Sequence, residues 1–279
     1  MAKLMPSDQN KGDVMELLEH NLDEIEGLSQ RGQTLSIVDL INANTIDIDM
    51  SAFCLYAVSN GASFLTAARP GNAGKTTLMA CLLTFLPSDV RIISTGNPSV
   101  INEAEKIADD EKLCVLSHEI GSGHWFGYIW GKHVGQLFSL MNNGCQIASC
   151  IHADTLPEMH SILVSKELNV VEDNFAKLDL ILFMKLMREG SGYKRRVSTL
   201  YERDYETGKH HLLYSWNGSS DAFIKNDDST LLHGIAKAKG KSYNQVYDEV
   251  QQSKSFIEDL VKSNITDFRM VRKKVLGRE

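Results

Sequence analysis

The spacing of apolar and polar residues divides the chain into helical and extended stretches. From Asp13 the apolar positions Val14, Leu17, Leu18, Leu22, Ile25 and Leu28 fall on one face at a 3.6-residue period, which predicts an amphipathic helix. Asp13 is its expected N-cap, with Glu16 at capping-box spacing. Residues 1–12 are polar and expected to fray, and Gly27 and Gly32 to weaken the far end. "TLSIVDLINANTID" reads as a short helix, and "IDMSAFCLYAVSNG" as another ending at Gly61. "ASFLTAA" has the length of a buried strand, and "KTTLMACLLTFL" that of a helix stopped near Pro87.

The alternation then repeats. "VRIIST" reads as a strand closed by a turn at Gly96-Asn97-Pro98, "KLCVLSH" as another and "GYIW" as a further short one. "GKHVGQLFSLMNNG" is helical, "CQIASCIH" a strand, "TLPEMHSILVSKEL" a helix capped near Thr155 with Pro157 in its first turn, and "KLDLILFMKLM" an apolar strand. Strands interleaved with helices predict an α/β fold with a doubly wound, mainly parallel sheet. Near Gly190 the period changes. "YKRRVSTLYERDYE" and "KHHLLYSWN" alternate about a Thr-Gly turn as an antiparallel β-hairpin, and Asn217-Gly218 opens a polar loop. From Ser229 the chain reads as helical, with Val246, Val250, Phe256, Ile257, Leu260 and Val261 on an apolar stripe. The expected organisation is an N-terminal helical segment over 1–33, an α/β core over 34–190, and a β-hairpin with a helical C-terminal region over 191–279.

Composition narrows the function classes. A length of 279 residues suffices for a sizeable core. The net charge of −7 speaks against a generic nucleic-acid binder, so no nucleic-acid partner is expected. No apolar run approaches the roughly 20 residues that span a bilayer, and the acidic N-terminus lacks the apolar stretch of a secretory signal. Cys54, Cys81, Cys114, Cys145 and Cys150 are scattered through apolar runs, which reads as reduced thiols in a cytoplasmic protein.

Chemistry concentrates in "AARPGNAGKTTLMACL", residues 67–82, between an apolar strand and an apolar helix. A phosphate loop of this kind turns consecutive backbone N–H groups into a concavity, and the helix that follows adds its positive end. Gly71 and Gly74 can supply the permissive dihedrals, Lys75 the charge and Thr76 a hydroxyl ligand for Mg2+. The expected cofactor-binding set is Gly71, Asn72, Ala73, Gly74, Lys75, Thr76 and Thr77, with Thr76 on the metal. The strict spacing requires a glycine six residues before the lysine, and Arg69 stands there; its guanidinium would either obstruct the pocket or contact phosphate. Asn72 tolerates a positive φ better than most residues, which keeps the loop feasible.

The order of segments resembles the secretion ATPases of the type II and type IV systems and their archaeal pilus and flagellar motor relatives. "FLTAARPGNAGKTTLMACLLTFLPSDVRIIST" resembles the family's P-loop, helix, proline and next strand, and "GCQIASCIHADT" its histidine box. "RRVSTLYE", "YSWNGSSDAF" and "VYDEVQQSKSFIEDLVKSNITDFRMVRKKV" are similar to the C-terminal tail of the archaeal branch, so the likeness runs over residues 34–276. The resemblance implies a RecA-like P-loop NTPase fold, ATP and Mg2+ as cofactors, a homo- or hetero-oligomeric ring (a hexamer), a membrane protein of a secretion or pilus system as partner, and a cytoplasmic location, peripheral at the inner face of the membrane. It implies that His152 reads the γ-phosphate. It also implies two acidic positions that are altered here: Gly96 and Asn97 fall where the first is expected, and Lys132, after Gly131, where the second is. A lysine cannot hold Mg2+, and Glu119 in "SHEIGSG" is the candidate substitute. The chain is thus read as an ATPase that couples nucleotide binding to assembly or secretion, or as a nucleotide-binding or structural relative that has lost hydrolysis. In such rings a large N-terminal domain commonly supplies arginines to the neighbour's nucleotide; the first 33 residues are too few to form one, so assembly is expected to need another subunit.

Other readings carry less. Cys145 and Cys150 do not match zinc-knuckle spacing and lie in an apolar strand. "HWFGYIW" lacks the basic groove of a single-strand platform and is expected to fill a core or a subunit seam. "KRR" at 194–196 is expected on a solvated edge-strand face.

Overall fold

The computed structural model describes residues 6–29, 34–97 and 99–278. The chain opens with helix α1 (Pro6–Gly27). It therefore starts well before Asp13, which lies inside it; Pro6 fits a first helical position, and Gly12 does not interrupt the helix. Gly32 and Pro98, taken above as breakers, lie outside the described residues. Helices α2 (Ile37–Asn42) and α3 (Ile48–Ser59) follow, with Ser36 closing a capping box on Asp39 and Asp47 accepting from the Met50 amide. Strand β1 (Phe64–Ala67) then enters the sheet and α4 (Lys75–Leu83) leaves it.

Three strand–helix pairs come next. They are β2 (Val90–Ser94) with α5 (Ser99–Ile107), β3 (Lys112–Leu116) with the short β4 (Glu119–Ile120), β5 (Tyr128–Ile129) and α6 (Lys132–Ser139), and β6 (Gln146–Ile151) with α7 (Leu156–Leu163) and α8 (Glu172–Phe175). The expected strand "GYIW" is real but reduced to two residues. Helix α5 was not expected, although Ile101, Ala104, Ile107 and Ala108 recur at helical spacing and pack on one face of the sheet. The chain continues through β7 (Leu180–Glu189), β8 (Gly192–Arg203), β9 (His210–Asn217) and β10 (Ala222–Lys225) into α9 (Thr230–Lys239), α10 (Tyr243–Lys262) and α11 (Phe268–Leu276). The polar loop expected after Asn217 is only a turn before β10.

The strands form one sheet in the order β10-β9-β8-β7-β1-β6-β3-β2, with β4 against β6 and β5 against β4. Strands β7, β1, β6, β3 and β2 run parallel, and β8, β9 and β10 extend the same sheet as antiparallel neighbours. Alternate residues face opposite layers. Phe64, Ala148, Cys150, Leu180 and Leu182 meet α1–α4 and α9–α11, whereas Leu65, Ile147, Ile151, Ile181 and Phe183 meet α5–α8. Both faces are therefore covered, as parallel strands require.

Helix α1 also seals one border. Asn21 donates its amide to Val90 O (2.8 Å) and accepts from the Ile92 amide (2.8 Å), and His20 Nε2 lies 2.8 Å from Ile92 O. At the far end of α4, Arg272 of α11 is fully buried and donates to the carbonyls of Thr84 (3.2 Å), Leu86 and Pro87 (3.1 Å), which would otherwise lack helical partners. No helix among the described residues is long and apolar enough to cross a membrane.

Candidate functional site

Strand order creates a crevice. After β1 the chain crosses to the β2 border, works back through β3 and β6 to the side of β1, and then places β7 on the other side. The carboxyl ends of β1, β3 and β6 converge where the sheet changes direction, the position at which open α/β sheets bind ligands. The loop from Ala68 to Gly74, Glu119 and His152 all leave strands at this edge.

The loop turns as a phosphate cradle does. Asn72 has φ 60° and Gly74, the N-cap of α4, has φ 98°. The left-handed residues are thus Asn72 and Gly74; Gly71, expected to be one of them, is not left-handed and has nothing within 4 Å of the position its Cβ would take. The Cβ of any residue replacing Gly74 would stand 3.1 Å from Met184 Cε and 3.2 Å from Arg195 Cδ, so two conditions require glycine here. The first amides of α4, at Lys75, Thr76 and Thr77, have no partner within the helix and point with the helix's positive end into the crevice. Ala73 is buried beneath the turn.

Lys75 is only 6% exposed. Its Nζ donates to Ala68 O (3.3 Å), lies 3.8 Å from Glu119 Oε1, and is 3.5 Å from His152 Nδ1. The His152 ring is oriented by Arg69 O, 2.7 Å from Nδ1, and its Nε2 is 2.5 Å from Glu119 Oε1. Nδ1 donates to that carbonyl, so it cannot also accept from Lys75. Glu119 is 7% exposed and accepts from Tyr128 Oη through Oε2 (2.9 Å). Its Oε1 is buried yet accepts no well-directed hydrogen bond within the protein, despite the short approach of His152. The 2.5 Å separation is an electrostatic contact, and Oε1 keeps unused acceptor capacity. Burial, together with donation to Glu119, pushes the Tyr128 hydroxyl up to about 12. Beneath the loop, the Cys150 thiol is pushed up to about 11 by burial and lies 3.1 Å from Thr66 Oγ1 and 3.9 Å from Thr76 Oγ1.

Arg69 neither obstructs the crevice nor faces it. Its guanidinium swings to Glu158 on α7 and its amide donates to Asp154 (2.7 Å), anchoring the start of the loop. Thr155 caps α7 through the Glu158 amide. Lys132 is exposed at the start of α6, and Gly96 lies under the Phe126 ring, so neither position aligned with an acid lines the crevice. Glu119 does line it. Trp125 and Phe126 are 73% and 68% exposed, so this part of the aromatic run fills no core within the chain.

The crevice opens into a cavity of about 850 Å³, reaching from Gly71–Thr77, Glu119 and His152 to Leu35, Asp39, Tyr193 and Arg195. The run Lys194-Arg195-Arg196, expected on a solvated edge-strand face, lies instead in β8, an inner strand between β7 and β9. Arg196 is 6% exposed and forms a two-point pair with Asp221 (2.8 and 2.7 Å). Arg195 donates from Nε to Asn72 O (2.8 Å). The visible signal was the run Lys194-Arg195-Arg196 itself; what was missing was that β7 and β8 fold back over the loop.

No family model matches this chain. An uncharacterized protein of Methanocaldococcus jannaschii is 22% identical over 257 residues, 84% of this chain and 95% of that protein. Among solved structures, the ATPase DotB of Legionella pneumophila is similar with a TM-score of 0.38 and 11% identity, over 78% of this chain and 58% of that one. The VirB11 ATPase from the type IV secretion system of Brucella suis, in complex with sulphate, is similar with a TM-score of 0.38 and 14% identity, over 66% of this chain and 55% of that one. The chain thus spans little more than half the length of those two structures.

Proposed function

We propose that this chain is an ATP-binding P-loop protein with a RecA-like core, of the type II/IV secretion and pilus-motor kind. The observation that carries the reading is the meeting of Lys75, Glu119 and His152 at the start of a helix whose first amides are free, at the carboxyl edge of a parallel sheet. The amides of Asn72 to Thr77 would cradle phosphate, Lys75 would neutralise the β- and γ-phosphates, and His152 would read the γ-phosphate.

The residues present fit Mg2+. The buried, under-used Oε1 of Glu119 and the hydroxyl of Thr76 line the same cavity, and magnesium takes few protein oxygens besides phosphate and water. When bound, the ion would offset phosphate charge and orient the terminal groups. The chain's own contribution is to hold the lysine, the carboxylate and the imidazole in one buried cluster before any ligand arrives. A ring assembly, a membrane partner at the inner face and coupling to secretion or pilus assembly belong to this proposal on the strength of the motif order alone. So does the need for another subunit in that assembly.

A second reading, binding without hydrolysis, has one observation in its favour. Oε2 of Glu119 is held by Tyr128, so a carboxylate that takes Mg2+ through Oε1 has no second oxygen left to activate water. The two separate by measuring ATP affinity and turnover with Mg2+, then repeating with Lys75→Ala. Turnover lost in the variant supports an ATPase; tight binding without turnover supports the second reading. Absence of both in the intact protein refutes the nucleotide proposal.

A further inference from the structure

The three cations of the β8 run share the cavity with the phosphate loop but are not equivalent. Lys194 Nζ is offset by Glu189 (3.2 Å) and Asp221 (3.8 Å). Arg196 is committed to Asp221 and to the carbonyls of Ala43 (3.1 Å) and Arg195 (2.8 Å). Arg195 differs from both. It is half-buried, and among the described residues no carboxylate pairs with it. Its Nε is fixed on Asn72 O at 2.8 Å, its Cδ lies directly over Gly74, and its terminal nitrogens have no hydrogen-bond partner among the described residues.

We propose that Arg195 contacts the terminal phosphate of a nucleoside triphosphate held by the loop of its own chain. This inference rests on the nucleotide reading above and adds to it a cation that discriminates triphosphate from diphosphate. Three physical points support it. The charge of Lys75 is already opposed by Glu119, so a triphosphate calls for another cation beside it. A guanidinium anchored at Nε keeps two parallel donors for an anion with little further loss of rotamer freedom. Part of the charge is removed from water without an ion-pair partner, a cost that an incoming phosphate relieves. The arginine that such sites often take from a neighbouring subunit is thereby supplied within the chain. The alternative is that Arg195 only braces Asn72, in which case it would serve every ligand of the loop equally.

Calorimetry of the full chain with Mg2+ separates these roles, using a non-hydrolysable ATP analogue and ADP as the two probes. Arg195→Ala is expected to weaken the triphosphate analogue about tenfold or more and ADP by less than about threefold, and Arg195→Lys to recover part of the loss. Equal losses for both nucleotides, or no loss for either, overturn the proposal. Lys75→Ala serves as the reference and is expected to weaken both. Failure of the unaltered chain to bind either probe refutes the nucleotide reading itself, and this inference with it. Circular dichroism of each variant establishes that the fold is kept, and the lysine variant carries the test should the alanine variant unfold.

Discussion

Glu119→Gln tests whether the buried charge cluster is a coupled unit. The Lys75–Glu119 separation of 3.8 Å gives a gross Coulomb attraction of about 4 kcal/mol at an effective dielectric constant near 20. Desolvation of both groups offsets part of this. The amide of glutamine keeps the shape and the acceptor for Tyr128 but removes the negative charge between Lys75 and His152. Glu119→Gln is therefore expected to lower unfolding stability by about 2–4 kcal/mol, of which about 1–3 kcal/mol is coupling to Lys75. The assay is urea unfolding followed by circular dichroism, on the wild type, Glu119→Gln, Lys75→Met and the double variant. The double variant should be more stable than the sum of the single losses predicts. Because both partners are buried, raising the salt concentration should change the coupling little. Additivity within about 0.5 kcal/mol would refute the reasoning, since the two charges would then act independently despite their proximity.

Two further expectations follow from geometry and burial elsewhere. Gly74→Ala should cost about 1–2 kcal/mol from the left-handed φ alone and should also displace Arg195, whereas Gly71→Ala, with open space around it, should stay within about 0.5 kcal/mol in the same urea titration. Asp179 accepts from the Ser63 amide and faces Arg203, yet burial pushes its carboxyl up to about 6. Its folded value is above its unfolded one, so its contribution to stability is present below about pH 4 and is lost as pH rises through about 6. Asp179→Asn should flatten that part of the stability–pH curve, and an unchanged slope between pH 4 and 6 would count against the assignment.

The helix-to-strand rhythm was legible because most strands are buried on both faces and most helices carry a clear stripe. Helix α5 carries such a stripe too, through Ile101, Ala104 and Ile107, but it is short and directly follows the turn at Gly96-Asn97. The turn into α4 was legible from its glycines and the apolar runs on either side, but the division of labour inside it was not. Gly71 looked like the flexible position, while the chain bends at Asn72, whose short amide side chain tolerates that conformation. Arg69 looked like an obstruction, and only the placement of Glu158 shows where its side chain goes. The resemblance put Lys132 at an acidic position, but β5 is two residues long and Lys132 stands exposed at the start of α6, outside the lining of the crevice. Glu119, one residue of several acids in loops, gains its meaning from the pairing of β4 with β6, which brings it against His152. Arg195 was beyond reach because local sequence does not reveal that a hairpin folds back over a loop more than a hundred residues earlier.

The way α1 occupies β2 limits how copies of this chain can join. Val90 and Ile92 have their outward main-chain groups taken up by Asn21 and His20 of the same molecule. A neighbour cannot lengthen the sheet on that flank without first peeling the helix away, which would leave those groups bare. Any multimer built on that side must therefore be held by side chains and shape, and can come apart without tearing a shared ladder.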